Sequence, residues 1–103
     1  MRRVEVLMHG LSAVVLEEIQ PGKAYRFAYD EDYEGPPVSL TMPVEKKTYV
    51  FERFPPFFEG LLPEGFNLEA LLRGLKIDAH DLFSQLAAVG ADTVGAVTVR
   101  AVE

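Results

Sequence analysis

The stretch KAYRFAYD, residues 23–30, decides the predicted fold of the first half of the chain. Every second residue in it is aromatic, namely Tyr25, Phe27 and Tyr29, and the residues between them are small or charged. Because successive side chains of a strand point to opposite faces, this alternation predicts a strand whose aromatic face lies on a core. The residues on either side of it extend the same pattern.

Two further strands are predicted before this one. In RVEVLM, residues 3–8, apolar and polar side chains alternate, and LSAVVLEEI, residues 11–19, is rich in β-branched residues. The turn signals are His-Gly at 9–10 and QPGK at 20–23. Three short strands joined by tight turns predict an antiparallel meander.

The middle of the chain is predicted to contain little regular structure. DEDYEGPP, residues 30–37, is polar and ends in Gly-Pro-Pro, so it predicts a loop. VSLTMPV, residues 38–44, alternates again and predicts an extended segment at a sheet edge, since Pro43 has no N–H for a strand ladder. EKKTYVFER, residues 45–53, is ambiguous and is interpreted mostly as loop.

Three short helices and a last strand are predicted in the second half. FPPFFEGLL, residues 54–62, starts with prolines, which the first turn of a helix tolerates, and then forms an apolar stripe. NLEALLRGL, residues 67–75, starts with a capping asparagine, and in DAHDLFSQLAAVG, residues 78–90, Asp78 is the predicted N-cap. AVTVRAV, residues 96–102, predicts a strand.

These elements predict an α+β fold with a single domain over residues 1–103. A small, mainly antiparallel sheet would carry about three short helices on one face. The apolar share of 49% and the charged share of 25% are ordinary for a globular domain, so overall disorder is not expected.

Composition excludes several classes of function. Sixteen acidic residues against ten lysines and arginines give a net charge of −6, which opposes direct binding to nucleic acid. The absence of cysteine excludes disulfides and thiolate chemistry, and it agrees with a cytoplasmic location. No apolar run approaches the roughly 20 residues that cross a bilayer, so we expect neither a membrane span nor a signal peptide.

Catalysis by this chain is not predicted. His9 and His80 have no further histidine or cysteine at ligand spacing, and the acidic run DEDYE lacks the pattern of an EF-hand loop. None of the three serines stands in a G-x-S-x-G motif, and the glycines form no phosphate-binding loop. We therefore expect no catalytic residues, no metal and no cofactor.

Aromatic residues are concentrated around FFEGLLPEGF, residues 57–66. Five phenylalanines fall within 16 residues of the chain: Phe51, Phe54, Phe57, Phe58 and Phe66. A small domain can bury some of them, and the density suggests that others face outward, where large apolar side chains usually mark a partner surface. A second buried cluster under the loop remains the alternative.

Several segments resemble one protein family. VEVLMHG, PPVSLTMPV, FPPFFEGLLPEG and DLFSQLAAVGADTVGAVTV are similar to the N-terminal subdomain 1 of HipA-type serine/threonine kinases, the toxins of bacterial toxin–antitoxin operons. The similarity extends from Val4 to Val99, and FFEGLLPEG and LAAVGADTVGAV are its most specific parts. The ATP-binding and catalytic parts of such a kinase have no counterpart in this sequence.

As a free-standing version of this subdomain, the chain resembles the HipS antitoxins of three-gene HipB–HipS–HipT operons. The resemblance implies that it binds a HipT-like kinase and inhibits it, in a complex to which a HipB-like DNA-binding protein can also belong. Kinases of this family act on aminoacyl-tRNA synthetases, so the restrained effect would be an arrest of translation. The resemblance thus implies a protein partner, with no cofactor, no direct nucleic acid and no membrane.

The resemblance also suggests where the kinase binds. Pro63 and Gly65 end the predicted helix, so the next residue, Phe66, would be held in a defined place as a preformed anchor. Glu64 could pair with a basic group of a phosphate-binding site. The predicted partner-binding residues are Phe58, Pro63, Glu64, Gly65 and Phe66. Packing of Phe66 back onto the domain remains the alternative.

Two other functions stay open at this point. The chain could be the detached regulatory lobe of a split HipA-type kinase, required for activity rather than opposed to it, because both roles use the same surface. It could also be a scaffold or peptide-binding module unrelated to kinases.

Overall fold

The structure, a computed structural model, describes residues 2–62, 73, 74, 76, 77, 81–90 and 96–102. Within these residues it contains one antiparallel sheet with the strand order β4-β3-β2-β1-β5. The strands are β1 (Arg2–Met8), β2 (Leu11–Gln20), β3 (Ala24–Tyr29), β4 (Thr48–Phe51) and β5 (Val97–Ala101). The α+β class and the antiparallel sheet are confirmed.

The described residues contain two α-helices and one short 3-10 helix. These are the 3-10 helix Val44–Lys46, α1 (Pro56–Glu59) and α2 (Leu82–Val89). The expected number of about three helices is not confirmed, because the predicted helix over 67–75 lies outside the described residues apart from Arg73 and Gly74. Helix α1 is a single turn that begins with Pro56, as the two prolines predicted.

The predicted meander forms β1, β2 and β3. His9 and Gly10 join the first two strands with positive φ angles of 51° and 80°. Two residues with positive φ match the right-handed twist of the strands they join, which explains the His-Gly pair. Gly22, with a φ of 74°, lies in the turn between β2 and β3.

The two faces of the sheet differ as the alternation in β3 predicted. Tyr25, Phe27 and Tyr29 are 3%, 0% and 5% exposed, so they lie in the core. The opposite face of the sheet carries ion pairs between neighbouring strands, and these pair Arg26 with Glu17 and Arg100 with Glu5. Such cross-strand pairs suit a face in contact with water.

The predictions for the middle of the chain need correction. Residues 45–53, interpreted mostly as loop, contain the edge strand β4, and residues 38–44 form a tight turn with an isolated bridge between Ser39 and Met42. The reason is tertiary. The ring of Tyr49 packs edge-on against Phe27 at a centroid distance of 5.8 Å, and this contact gives a short segment a buried side.

Helix α2 begins later than the sequence predicted. Its N-cap is Asp81 rather than Asp78, and the Asp81 carboxylate accepts a hydrogen bond from the backbone N–H of Ser84 at 3.1 Å. Phe83 and Leu86 are buried on the sheet, and Gly90 follows the last helical residue, as predicted. The structure therefore confirms the apolar side of this helix and corrects its start.

Candidate partner-binding surface

Helix α1 is attached to the domain core by Phe58. The Phe58 side chain is fully buried, and its ring centroid lies 5.9 Å from that of Phe27 in β3 and 5.2 Å from that of Phe57. Phe58 was predicted to contact a partner, yet it exposes no surface in this structure. Its contribution to partner binding can only be to hold α1 and the neighbouring Phe57 in place.

The other predicted partner-binding residues, Pro63, Glu64, Gly65 and Phe66, lie outside the described residues and remain predictions. The described chain before them ends with Leu61, which is half-buried, and Leu62, which is 9% exposed and belongs to the core. The residue that precedes the predicted anchor segment is therefore fixed on the core side of the sheet.

The phenylalanine cluster divides into a buried part and a partly exposed part. Phe54 and Phe58 are buried, and the ring of Phe54 packs edge-on against Tyr25 at 5.6 Å. Phe51 and Phe57 are half-buried at the margin of the core. Some of these aromatics are thus structural, and others leave apolar surface open to water.

The half-buried aromatics line a cleft of about 350 Å³ at the β4 edge, which we call the edge groove. Its walls come from β4, from the turn after residue 38 and from the start of α1. The lining residues are Thr41, Met42, Tyr49, Phe51, Pro55, Pro56 and Phe57. Leu40, which precedes Thr41 in the turn, is 91% exposed. Apolar side chains left in water next to an apolar cleft are typical of a docking surface.

Tyrosine hydroxyls hold the turn that forms one wall of the edge groove. The Tyr29 hydroxyl donates to the backbone carbonyl of Met42 at 2.6 Å and accepts from the N–H of Val38 at 2.9 Å. The Tyr49 hydroxyl donates to the carbonyl of Pro43 at 2.7 Å. Burial raises the pKa of Tyr29, so at neutral pH the hydroxyl keeps the proton that it donates to Met42.

The backbone of β4 presents unpaired groups on its outer side. The N–H of Tyr29 donates to the carbonyl of Lys47 at 2.8 Å, which shows that Lys47 faces β3. Because backbone groups alternate in direction along a strand, Tyr49 and Phe51 also face β3, whereas Thr48 and Val50 face away. Among the residues that the structure describes, no strand pairs with this outer side.

A polar network connects α2 to the sheet at the far side of the domain. The Arg2 guanidinium donates to both carboxylate oxygens of Glu18, at 2.7 and 2.8 Å, and to Asp81 at 2.9 Å. It also lies 5.0 Å from the ring centroid of Phe83. These bonds, first to Glu18 and then to Asp81, raise the pKa of Arg2. Glu18 is 4% exposed and the Arg2 side chain is 43% exposed, so the buried carboxylate is paired with an arginine at the surface, which is a structural role.

The pKa of Asp81 reflects opposing effects. Burial by itself raises it, but the hydrogen bonds from Arg2 and Ser84 outweigh burial and lower the pKa below its usual value. Asp81 therefore stays charged while it caps α2, where the positive end of the helix dipole favours a carboxylate.

Sequence patterns give only a weak signal for this surface. TYVF, residues 48–51, alternates aromatic with smaller side chains, which is a strand signal, although four residues are too few to distinguish it from a loop. The attachment of the turn after residue 38 to Tyr29 has no local signal, because the two partners are far apart in sequence.

Two further findings concern other kinds of site. Across the described ranges, no three side chains of histidine, cysteine, aspartate or glutamate are grouped as a metal site would need. No helix in the described part of the chain is long and apolar enough to cross a membrane.

Comparisons with known proteins find a family model, a relative and solved structures that are similar to this chain. The family model described as the HipA N-terminal domain matches residues 4–100. An uncharacterized protein of Haemophilus influenzae (strain ATCC 51907 / DSM 11121 / KW20 / Rd) is 31% identical over 99 residues, which cover 96% of this chain and 92% of that protein. A solved structure described as the N-terminal domain of HipA toxin superimposes with a TM-score of 0.78 at 28% identity, and the match covers 100% of this chain and 94% of the other.

Proposed function

The chain belongs to the HipA N-terminal domain family, and we propose that it is a HipS-like antitoxin that binds a HipT-like serine/threonine kinase and holds it inactive. The observation that carries this proposal is the Haemophilus influenzae relative, of which the match covers 92%. In that relative the domain makes up nearly the whole protein. This supports a domain that acts apart from a kinase core.

Such a protein would act through a surface rather than through chemistry of its own. In the proposal, Phe66 is the residue that enters the kinase, with Glu64 beside it against a basic group. Helix α1 is held on the core by Phe58, and Leu62 after it is also in the core, so the proposed anchor segment follows directly on a residue of the core. Full burial of a phenylalanine contributes roughly 1.5–3 kcal/mol from area alone.

The proposed setting is a bacterial toxin–antitoxin complex in the cytoplasm. A HipB-like DNA-binding protein would join the chain and the kinase, so that contact with DNA would be indirect. This fits the net charge of −6, which opposes direct binding to phosphate groups.

The second candidate function is a detached regulatory lobe that a HipA-type kinase needs for activity. The observation in its favour is the solved relative, since the N-terminal domain of HipA toxin is by its description a part of the toxin. Both functions require binding to a kinase. They differ in the sign of the effect on phosphorylation.

The test is co-expression with the kinase encoded beside this chain, with growth and kinase autophosphorylation as readouts. We expect the wild-type chain to restore growth and suppress autophosphorylation. Phe66→Ala should weaken binding by about 30-fold, since a central anchor contributes about 2 kcal/mol or more. Leu11→Ala is the matched control, because Leu11, the first residue of β2, is an apolar side chain that is 68% exposed.

Each outcome assigns a role. If the kinase is active only when the chain is present, the chain is a regulatory lobe and the antitoxin function is rejected. Equal binding by Phe66→Ala and Leu11→Ala would leave the antitoxin intact and remove Phe66 as its anchor. No binding of the wild-type chain to the kinase would reject both functions.

A further inference from the structure

The two edge strands of the sheet, β5 and β4, differ in what the described residues place against them. At β5, the end of α2 packs so closely that a Cβ on Gly90 would lie 2.4 Å from the Cβ of Val99 and 2.8 Å from its carbonyl oxygen. At β4, no described element covers the outer side, and Val50 is 68% exposed. An uncovered edge strand is a template for pairing with another chain.

The free backbone groups of β4 specify what can bind there. Thr48 and Val50 each present an N–H donor and a C=O acceptor to the outside, at the regular spacing of a strand ladder. An extended chain supplies the complementary donors and acceptors at the same spacing. Backbone geometry therefore favours an added strand over a helix at this edge.

The edge groove lies in register with such an added strand. Side chains of the added strand that point to the core face would lie beside Tyr49 and Phe51, which line the groove. The side chains between them would lie beside Val50 on the opposite face. The groove therefore selects a segment with a large apolar residue at every second position.

Charge at the start of β4 adds a further preference. Lys46 and Lys47 precede the strand, and the Lys46 ammonium lies 4.9 Å from the ring centroid of Tyr49 at the mouth of the groove. Residues 45–47 contain two lysines and one glutamate, so this short segment has a net positive charge in a chain of net charge −6. An acidic residue at the facing end of the added segment would complement it.

We propose that the outer edge of β4 and the edge groove together bind an extended segment of the partner kinase, which adds to the sheet as a further strand. The segment has apolar residues at alternate positions and an acidic residue near Lys46. The inference rests on the proposed function for the identity of the partner. It is separate from the Phe66 anchor, because it uses only described residues of β4, the turn and α1.

Amide hydrogen exchange measured by NMR on the wild-type chain, free and bound to the kinase, tests this directly. The Thr48 and Val50 amides should exchange about 100-fold or more slowly in the complex, because they gain partners there. The Tyr49 and Phe51 amides are the internal control, since they already face β3 and should change much less. Unchanged exchange at Thr48 and Val50 in a saturated complex would overturn the proposal.

A backbone variant provides the second measurement. Val50→Pro removes the outward N–H, and proline is tolerated on an edge strand when its missing N–H faces solvent. We expect this variant to bind the kinase about tenfold or more weakly, since a carbonyl of the added strand loses its donor. Val50→Ala is the matched control, because it removes most of the side chain and keeps the N–H, and it should bind more tightly than Val50→Pro.

The outcomes separate this inference from the proposed function. Failure of the wild-type chain to bind the kinase would reject both. If Val50→Pro is folded and binds the kinase as tightly as wild type does, only the proposal of an added strand is rejected. A dimer of the free chain that Val50→Pro abolishes, with kinase affinity unchanged, would assign the edge to a second copy and also overturn the proposal.

Discussion

The β5 edge and the β4 edge show two ways in which a small sheet ends. At β5 the close contact between Gly90 and Val99 places the end of α2 against the strand, and the Arg2 network holds the other end of the helix. At β4 the strand is held by side chains on its core face, where Tyr49 packs against Phe27, and no described strand pairs with its outer backbone. The comparison shows that aromatic packing can stabilise an edge strand while its outer side remains available to a partner.

The largest loss of stability is expected from removing the buried ring of Phe58, which attaches α1 to the core. Phe58→Ala should lower the free energy of unfolding by about 3–5 kcal/mol, because it empties the space that the fully buried ring fills against Phe27. Chemical denaturation followed by circular dichroism measures this. Phe57→Ala is the control, since Phe57 is half-buried and should cost clearly less. Equal losses would contradict the assignment of Phe58 to the core.

A smaller loss of stability is expected from a substitution that disturbs the contact between α2 and β5. Gly90→Ala places a Cβ against the backbone carbonyl of Val99, which cannot rotate away, so α2 and β5 must separate slightly. Overpacking of this kind costs about 1–3 kcal/mol. Gly74→Ala is the matched control, because a Cβ there would meet no atom of the described residues within 4 Å. A Gly90→Ala protein as stable as wild type would show that α2 and β5 are loosely packed at this contact.

The smallest effect concerns the cap of α2 and depends on pH. Asp81→Ala removes the N-cap and the partner of Arg2 and should cost about 1 kcal/mol at pH 7. Asp81→Asn keeps a capping side chain and should cost less. The pKa of Asp81 is lowered in the fold, so its contribution is fully present above about pH 4 and is lost as the pH falls below that value.

Unfolding measured between pH 7 and pH 2 checks this sign. The difference in stability between wild type and Asp81→Asn should shrink as the pH falls, because the wild-type carboxylate becomes neutral. A difference that stays constant, or grows in acid, would mean that the charge of Asp81 does not stabilise α2.

Much of the fold could be predicted because the relevant signals are local. The alternation around Phe27 predicted both the strand and its buried face, and His9 with Gly10 predicted the first hairpin. Strand β4 could not be predicted, because four residues are too few to show a clear alternation. The strand also depends on the packing of Tyr49 against Phe27 in β3. The sequence predicted Asp78 as the cap of α2, and the observed cap is Asp81, which also contacts Arg2 in β1.

The candidate surface could also be predicted only in part. The phenylalanine cluster before residue 66 was visible in the sequence, but periodicity could not say which rings are buried. The structure places Phe58 in the core and leaves Phe51 and Phe57 at the edge groove. Burial of an individual ring depends on which other elements cover it, and no local pattern contains that information.

The sequence by itself determined the α+β class, the aromatic face of β3, the turns of the meander and the apolar side of α2. These features follow from the alternation of side chains, the backbone freedom of glycine and the period of a helix. Only the tertiary structure decided that residues 48–51 form an edge strand and that tyrosine hydroxyls fix the wall of a groove beside it. These features rest on contacts between different segments of the chain, whose free energy appears only when the sheet has formed.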